Sequence, residues 1–384
     1  MENKKGLFAG IHRDGYTWKD SMIVSIFLFF MMIIVGSGIG VLIGKIFNLF
    51  SNEGNAEFLE ILKDNFAFLG YWIIAFIYLS LVKSDKPILR AFGREPRGNT
   101  VKMALWGLLI GLCLNALCVG IAVFHGDIQL SFSSFPVLKL LIVLLSVFAQ
   151  SGGEELLCRG VLYQRLRKGY RNPWVAILVN PIVFVLMHIL LPGITVWAVL
   201  SIYLVGVTFG LMVYYLDSLW MAMAAHAAWN FTQNFIFGLP NSGSVYDLAI
   251  FKLNSATART SLCYNVEFGV EASVTAVLAF AFASAILLCL GKLIRSGLCF
   301  HAICALSRIT CMVFPVPSQQ VLFCKQVSQI QVIHVSNEHK MEGDYHEKTI
   351  QHPAGIGNDG FPDRPRLCRR AGLHHRHPLA LHRP

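Results

Sequence analysis

The sequence predicts an all-α membrane protein, a polytopic bundle of about eight transmembrane helices. Three observations predict it. Only 14% of the 384 residues are charged while 55% are hydrophobic, against roughly 25% charged in a soluble domain. The apolar residues gather in runs of about 18 residues or more, the length a spanning helix needs. The basic residues concentrate in alternate loops, the pattern of the positive-inside rule.

Taken in order, five runs carry no charge: Ser21–Gly44, Asn65–Val82, Met103–Phe124, Ile194–Leu216 and Ala272–Leu290. Three more, Leu138–Leu166, Pro173–Pro192 and Ser218–Leu239, are broken by only a few polar groups. The first run is too long for a secretory signal and has no small-residue cleavage site after it, so it reads as a retained helix. Between runs, Lys83, Lys86, Arg90, Arg94, Arg97 and Lys102 fill the second loop, and Arg165, Arg167, Lys168 and Arg171 the fourth. The first loop instead carries Glu53, Glu57, Glu60 and Asp64, and the third carries Asp127 with no basic residue. This alternation places both termini in the cytoplasm of a multi-pass cell-membrane protein. The net charge of +10 therefore sets topology and, secondarily, meets anionic lipid heads; it does not point to nucleic acid. The ten cysteines show no disulfide or metal spacing, and several sit inside helical runs as small hydrophobes.

The expected organisation is a cytoplasmic segment over residues 1–20, one bundle over 21–295 and a basic, His-rich tail over 296–384. The longest loop, Gly238 to Gly269, is rich in turn formers and is expected on the outer face. Nine of the thirteen histidines follow residue 300. With no fixed spacing they make no metal site, and the tail reads as disordered or non-native.

Inside the bundle a few polar groups stand out. An ionisable side chain at a helix centre costs about 2.5–3.5 kcal/mol even on lenient insertion scales, so it calls for a partner and a purpose. In "SGGEELLCRG", Glu155 and Arg159 share a helix face four residues apart and can pair, while Glu154 points about 100° away. In "NPIVFVLMHILLP", His188 lies about as far beyond the basic hairpin near Tyr170 as Glu154 lies before it, so the two reach one depth on antiparallel helices. Phe184 shares the face of His188 and reads as core packed beside it. In "AMAAHAAWNF", His226 and Asn230 share a face among small residues that let helices approach closely. Each motif taken singly also fits ordinary helix packing.

Together the glutamate, the histidines and the asparagine supply a general base, proton carriers and an oxyanion donor. No serine or cysteine stands beside a histidine as a nucleophile; Cys158 and Ser151 come nearest. Water is the expected nucleophile. Glu154 and a histidine could activate it directly, or His188 and His226 with a glutamate could hold a divalent metal such as zinc. The zincin signature His-Glu-x-x-His is absent.

Glu154-Glu155-x-x-x-Arg159, Phe184-x-x-x-His188 and His226-x-x-x-Asn230, in this order on successive helices, resemble the CPBP family of CAAX prenyl endopeptidases and Abi-type membrane proteases. The likeness covers about residues 140–235. It implies an eight-helix fold and hydrolysis of a peptide bond in a membrane-associated or lipidated CAAX-type substrate. It further implies water activation by Glu154 and His188 and oxyanion stabilisation by His226 and Asn230. Glu155 and Arg159 fill the remaining motif positions as structural or catalytic support. The family carries both metalloprotease and glutamate assignments, and some bacterial members are linked to bacteriocin immunity, so a non-catalytic immunity or scaffold protein is the competing function. A proton-coupled transporter would need broken helices or paired repeats, and neither is evident.

Overall fold

A computed structural model describes residues 18–94 and 98–295. The expected terminal segments, apart from residues 18–20, lie outside these residues. Ten α-helices run through them: α1 (Met22–Asn48), α2 (Ala56–Phe66), α3 (Leu69–Leu81), α4 (Val101–Phe124), α5 (Val137–Glu155), α6 (Tyr163–Gly169), α7 (Pro173–His188), α8 (Val196–Leu216), α9 (Leu219–Phe231) and α10 (Val274–Arg295). The described chain is a polytopic all-α membrane protein. Among the described residues, six helical stretches are long and apolar enough to cross a bilayer: Met22–Asn48, Ala56–Leu81, Val101–Phe124, Val137–Gly169, Val196–Leu216 and Val274–Leu293. The shorter apolar helix Pro173–His188 and α9, which Thr232–Ile236 extends as a π-helix, lie among them. A two-stranded antiparallel ribbon, β1 (Leu130–Phe132) with β2 (Phe251–Leu253), pairs Leu130 with Leu253.

The burial pattern is that of a protein dissolved in lipid. In α1, Phe29, Met32, Gly36, Gly40 and Gly44 face inward, while Ile23, Phe27 and Ile34 stand exposed. Bulky apolar side chains lie outermost because hydrocarbon, unlike water, imposes no cost on them, and small residues face inward to let backbones approach. The acidic stretch read as a first loop is mostly α2. Its Ile61, Leu62 and Asn65 are buried on one face and its charges lie on the other, an amphipathic pattern.

Local sequence fixes the elements that carry the site. Helix α8 stops at Asp217, in the left-handed region at φ 51°, and Ser218 immediately caps α9 by accepting from Met221 N–H at 3.1 Å. Helix α7 starts on Asn172, which caps Trp174 N–H at 3.0 Å, with Pro173 at the first turn, where its missing N–H costs nothing. After Glu155 the chain widens into a π-helix over Leu156–Leu162. Helix α5 is pinned to α3 by Trp72, whose Nε1–H donates to the Ala149 carbonyl at 2.9 Å. A Cβ on Gly152 or Gly153 would press into that indole.

Candidate functional site

The three motifs converge on one cavity of about 390 Å³, lined by Glu154, Phe184, His188, His226 and Asn230 together with residues of α2, α8 and the 241–246 loop. A space of this size holds a few side chains of a bound ligand.

The buried anchor is Glu155. Its Oε1 lies 2.8 Å from Arg159 Nη1 and 3.0 Å from His226 Nδ1. Neither Glu155 nor Arg159 has an exposed side chain, and neither lines the cavity. The guanidinium is sandwiched by aromatic rings, with its carbon 4.8 Å from the Phe184 centroid and 5.5 Å from that of Phe209. Cation–π contact of this kind partly replaces the hydration that burial removes. Phe184 also meets His188 edge-on at 4.8 Å and stands perpendicular to His226 at 6.2 Å. It is the shared wall between the ion pair and both histidines.

Glu154 faces the cavity. Its Oε2 lies 3.6 Å from His226 Nε2, an ion-pair distance rather than a hydrogen bond. His226 thus spans both glutamates, Nδ1 on Glu155 and Nε2 toward Glu154. Because the Glu155 oxygen already takes Arg159, it acts as an acceptor, which assigns the Nδ1 proton to His226 and leaves Nε2 directed at Glu154. His188 shares the cavity with Glu154 as depth counting expects, and its Nδ1 lies 2.9 Å from the Phe184 carbonyl. The direct neighbour of Glu154, however, is His226, one helix further along. Asn230 Nδ2 donates to Gln150 Oε1 and to Ser151 Oγ, each at 3.1 Å, and Asn230 Oδ1 accepts from Asn241 at 3.0 Å. Ser151 and Cys158 have no histidine beside them: Ser151 donates to Gln150 at 2.8 Å, and Cys158 is fully buried.

Ligands on one tetrahedral zinc stand roughly 3.5 Å apart, given bonds of about 2.0–2.1 Å. One donor atom each from Glu154, His188 and His226 do not come together within 4.8 Å. Among the described residues only His125, Asp127 and Cys263 do so. That group lies beyond the end of α4, where Asp127 already accepts from Arg259 at 3.1 Å and from Ser261. The motif residues as arranged do not fit a zinc ion.

The sequence motifs omit several residues of the site. Gln150 sits one turn before Glu154 on the same face, a spacing that marks it as a neighbour. Phe209 lies in a helix apolar on every side, so nothing sets it apart. Glu271 lies in a short 3₁₀ turn, Val270–Ala272, next to the α10 apolar run, where an acid looks like an ordinary membrane-boundary residue. In the structure it lines the cavity and is only 8% exposed. Burial, reinforced by Glu154 and opposed by Ser242 and His226, lifts its carboxyl to about 7.

Residues 136–232, from the start of α5 to the end of α9, match the family model described as type II CAAX prenyl endopeptidase, Rce1-like. No curated protein is similar enough to the chain to match it. All three motifs fall inside the matched stretch and gather on one cavity between membrane helices, so residues 136–232 form an Rce1-like region, similar to the type II CAAX prenyl endopeptidases of the CPBP/CAAX family.

Proposed function

We propose that the protein is an intramembrane endopeptidase that hydrolyses a peptide bond of a membrane-associated or lipidated, CAAX-type protein by glutamate-activated water. The observation that carries this is the His226 bridge: Nε2 3.6 Å from cavity-facing Glu154, Nδ1 3.0 Å from buried Glu155. Glu154 takes a proton from water, with His188 beside the same cavity as a second proton carrier. His226, oriented by the Nδ1 contact to Glu155, donates from Nε2 to the oxyanion that forms when the ring carries a proton on both nitrogens. Asn230 adds its amide once it turns from Gln150 and Ser151. Arg159 holds the Glu155 carboxyl in place at 2.8 Å. The donor spacing favours this route over a zinc-bound water. On the positive-inside pattern the Arg165–Arg171 hairpin is cytoplasmic, and Ser242, Tyr246 and Glu271, from the connection between α9 and α10, line the cavity. Residues 21–295 make up the catalytic unit.

The test uses the purified chain in lipid nanodiscs with an S-farnesylated CAAX-type peptide. Wild type is expected to cleave it equally before and after chelation, with metal content verified. Glu154→Gln and His226→Ala are expected to fold yet lose cleavage by about 100-fold or more. Persisting cleavage in both variants defeats the proposal, and loss of activity on chelation that zinc restores defeats its metal-free form. Absence of cleavage by wild type, with partner binding intact in both variants, returns the protein to a scaffold role.

A further inference from the structure

We propose that Glu271, which lies outside the matched family region, is a further catalytic residue of this site: it gives a proton to the leaving nitrogen of the cleaved bond and then holds the released amine. The proposal rests on the hydrolytic reading above and deepens it.

The carboxyl is fixed by one oxygen only. Glu271 Oε1 accepts the Ser242 backbone N–H and, at 2.9 Å, the Ser242 hydroxyl. Its Oε2 makes no hydrogen bond to a described residue, in a side chain that lines the cavity and is more than nine-tenths buried. The partner turn is itself specialised. Ser242 has a φ of 49°, a region that costs a non-glycine residue energy and persists only where surroundings enforce it. Asn241 and Ser244 close this turn through mutual backbone hydrogen bonds of 3.0 and 2.9 Å. On one flank Asn241 donates to Asn230, the last motif residue, at 3.0 Å; on the other flank stands Glu271. A strained turn thereby ties the carboxyl to the oxyanion end of the site.

The charge of the cavity agrees with an amine-binding role. Its lining includes the carboxylates Asp64, Glu154 and Glu271, and no lysine or arginine. The other titratable groups on the wall are Tyr71, His188, His226 and Tyr246, and α8 contributes none. Such a wall stabilises a cation, and of the two fragments that hydrolysis produces, only the amine becomes one. A carboxyl titrating at about 7 also suits a general acid near neutral pH.

The proton account closes. Water adds to the carbonyl carbon as its proton passes to Glu154, forming the C–O bond. The protonated Glu271 carboxyl gives its proton to nitrogen, and the C–N bond breaks to release a carboxylic acid and an amine. Transfer of the proton from Glu154 to Glu271 through water resets both groups.

A thioester separates this role from a structural one, because a thiolate with a conjugate pKa of about 8.5 leaves without the proton that an amine requires. The full-length chain is assayed on the farnesylated peptide and on its analogue with a thioester at the scissile bond. Glu271→Gln keeps the acceptor for Ser242 but cannot serve as an acid. It is expected to lower amide turnover about 100-fold with KM little changed, while thioester turnover stays within about threefold of wild type. The amide-to-thioester ratio cancels any loss of folded protein, and Glu271→Asp is expected to restore part of it. An unchanged ratio in Glu271→Gln overturns the assignment while leaving the hydrolytic reading intact. Glu154→Gln should abolish cleavage of both substrates; if it does not, the hydrolytic reading itself fails.

Discussion

Glu155 and His226 are joined through Oε1 and Nδ1 at 3.0 Å, and the same oxygen takes Arg159 at 2.8 Å. The adjacent glutamates therefore carry different burdens. Removing Glu155 strands a buried guanidinium, which costs about 3–5 kcal/mol. Glu155→Ala is expected to lower the thermal midpoint sharply in detergent, whereas Glu154→Gln, at the cavity wall, leaves it near wild type while cleavage is lost. Replacing both partners, as in Glu155→Leu with Arg159→Met, should regain much of the stability without activity. Equal melting losses for Glu154→Gln and Glu155→Ala would contradict this division.

Asn230 is poised rather than free, since its amide hydrogens are spent on Gln150 and Ser151. If it turns to the oxyanion, Asn230→Ala should lower kcat by about 100- to 1,000-fold with little change in KM. Gln150→Ala, which releases the amide, should cost far less. A KM increase with kcat preserved would reassign Asn230 to substrate binding.

Much of this arrangement is legible in the sequence, and the gaps have physical reasons. Charge-free length alone marks the spanning helices. Four-residue spacing finds Glu155 with Arg159, because a helix fixes that geometry internally. Depth counting brings Glu154 and His188 to the same cavity but cannot supply helix rotation, which close packing sets, so the approach of His226 to Glu154 is not foreseeable. Helix α2 hides as a loop because Glu57, Glu60 and Asp64 mask the buried face of Ile61 and Leu62. Glu271 leaves no periodic signal, since its place depends on a turn folded back from residue 242.

At the end of the bundle holding the basic hairpin, Asp85 accepts from Lys168 at 2.7 Å and also from Arg165, and Lys168 reaches Asp20 at 3.1 Å. Burial alone would raise the Asp85 carboxyl; Lys168, Tyr78 and Arg165 outweigh it and hold it below its ordinary value. A depressed folded pKa means stability that is present above the unfolded value of about 3.9 and is lost as pH falls through the folded one. The thermal midpoint should thus decline as pH drops below about 4. Asp85→Asn should lower it at pH 7 and flatten that acid limb. An unchanged acid limb in the variant would remove Asp85 as its source.

Helix α4 reaches the site without contributing a motif residue. It packs along α9, and a Cβ on Gly111 would collide with the Ala225 carbonyl and with Ala228, on either side of His226. The ring of His226 depends on that close approach to meet Glu155 and Glu154 together. Gly120, on the same helix, has nothing within 4 Å of where its Cβ would stand. One chemical change at two places should therefore have opposite outcomes. Gly111→Ala is expected to destabilise by about 1–3 kcal/mol through overpacking and to lower kcat by displacing His226. Gly120→Ala should leave activity untouched and raise stability by up to about 1 kcal/mol through helix propensity. Thermal melting and peptide cleavage of the two variants side by side provide the check. Matching effects at both positions would mean that α4 does not set the position of His226.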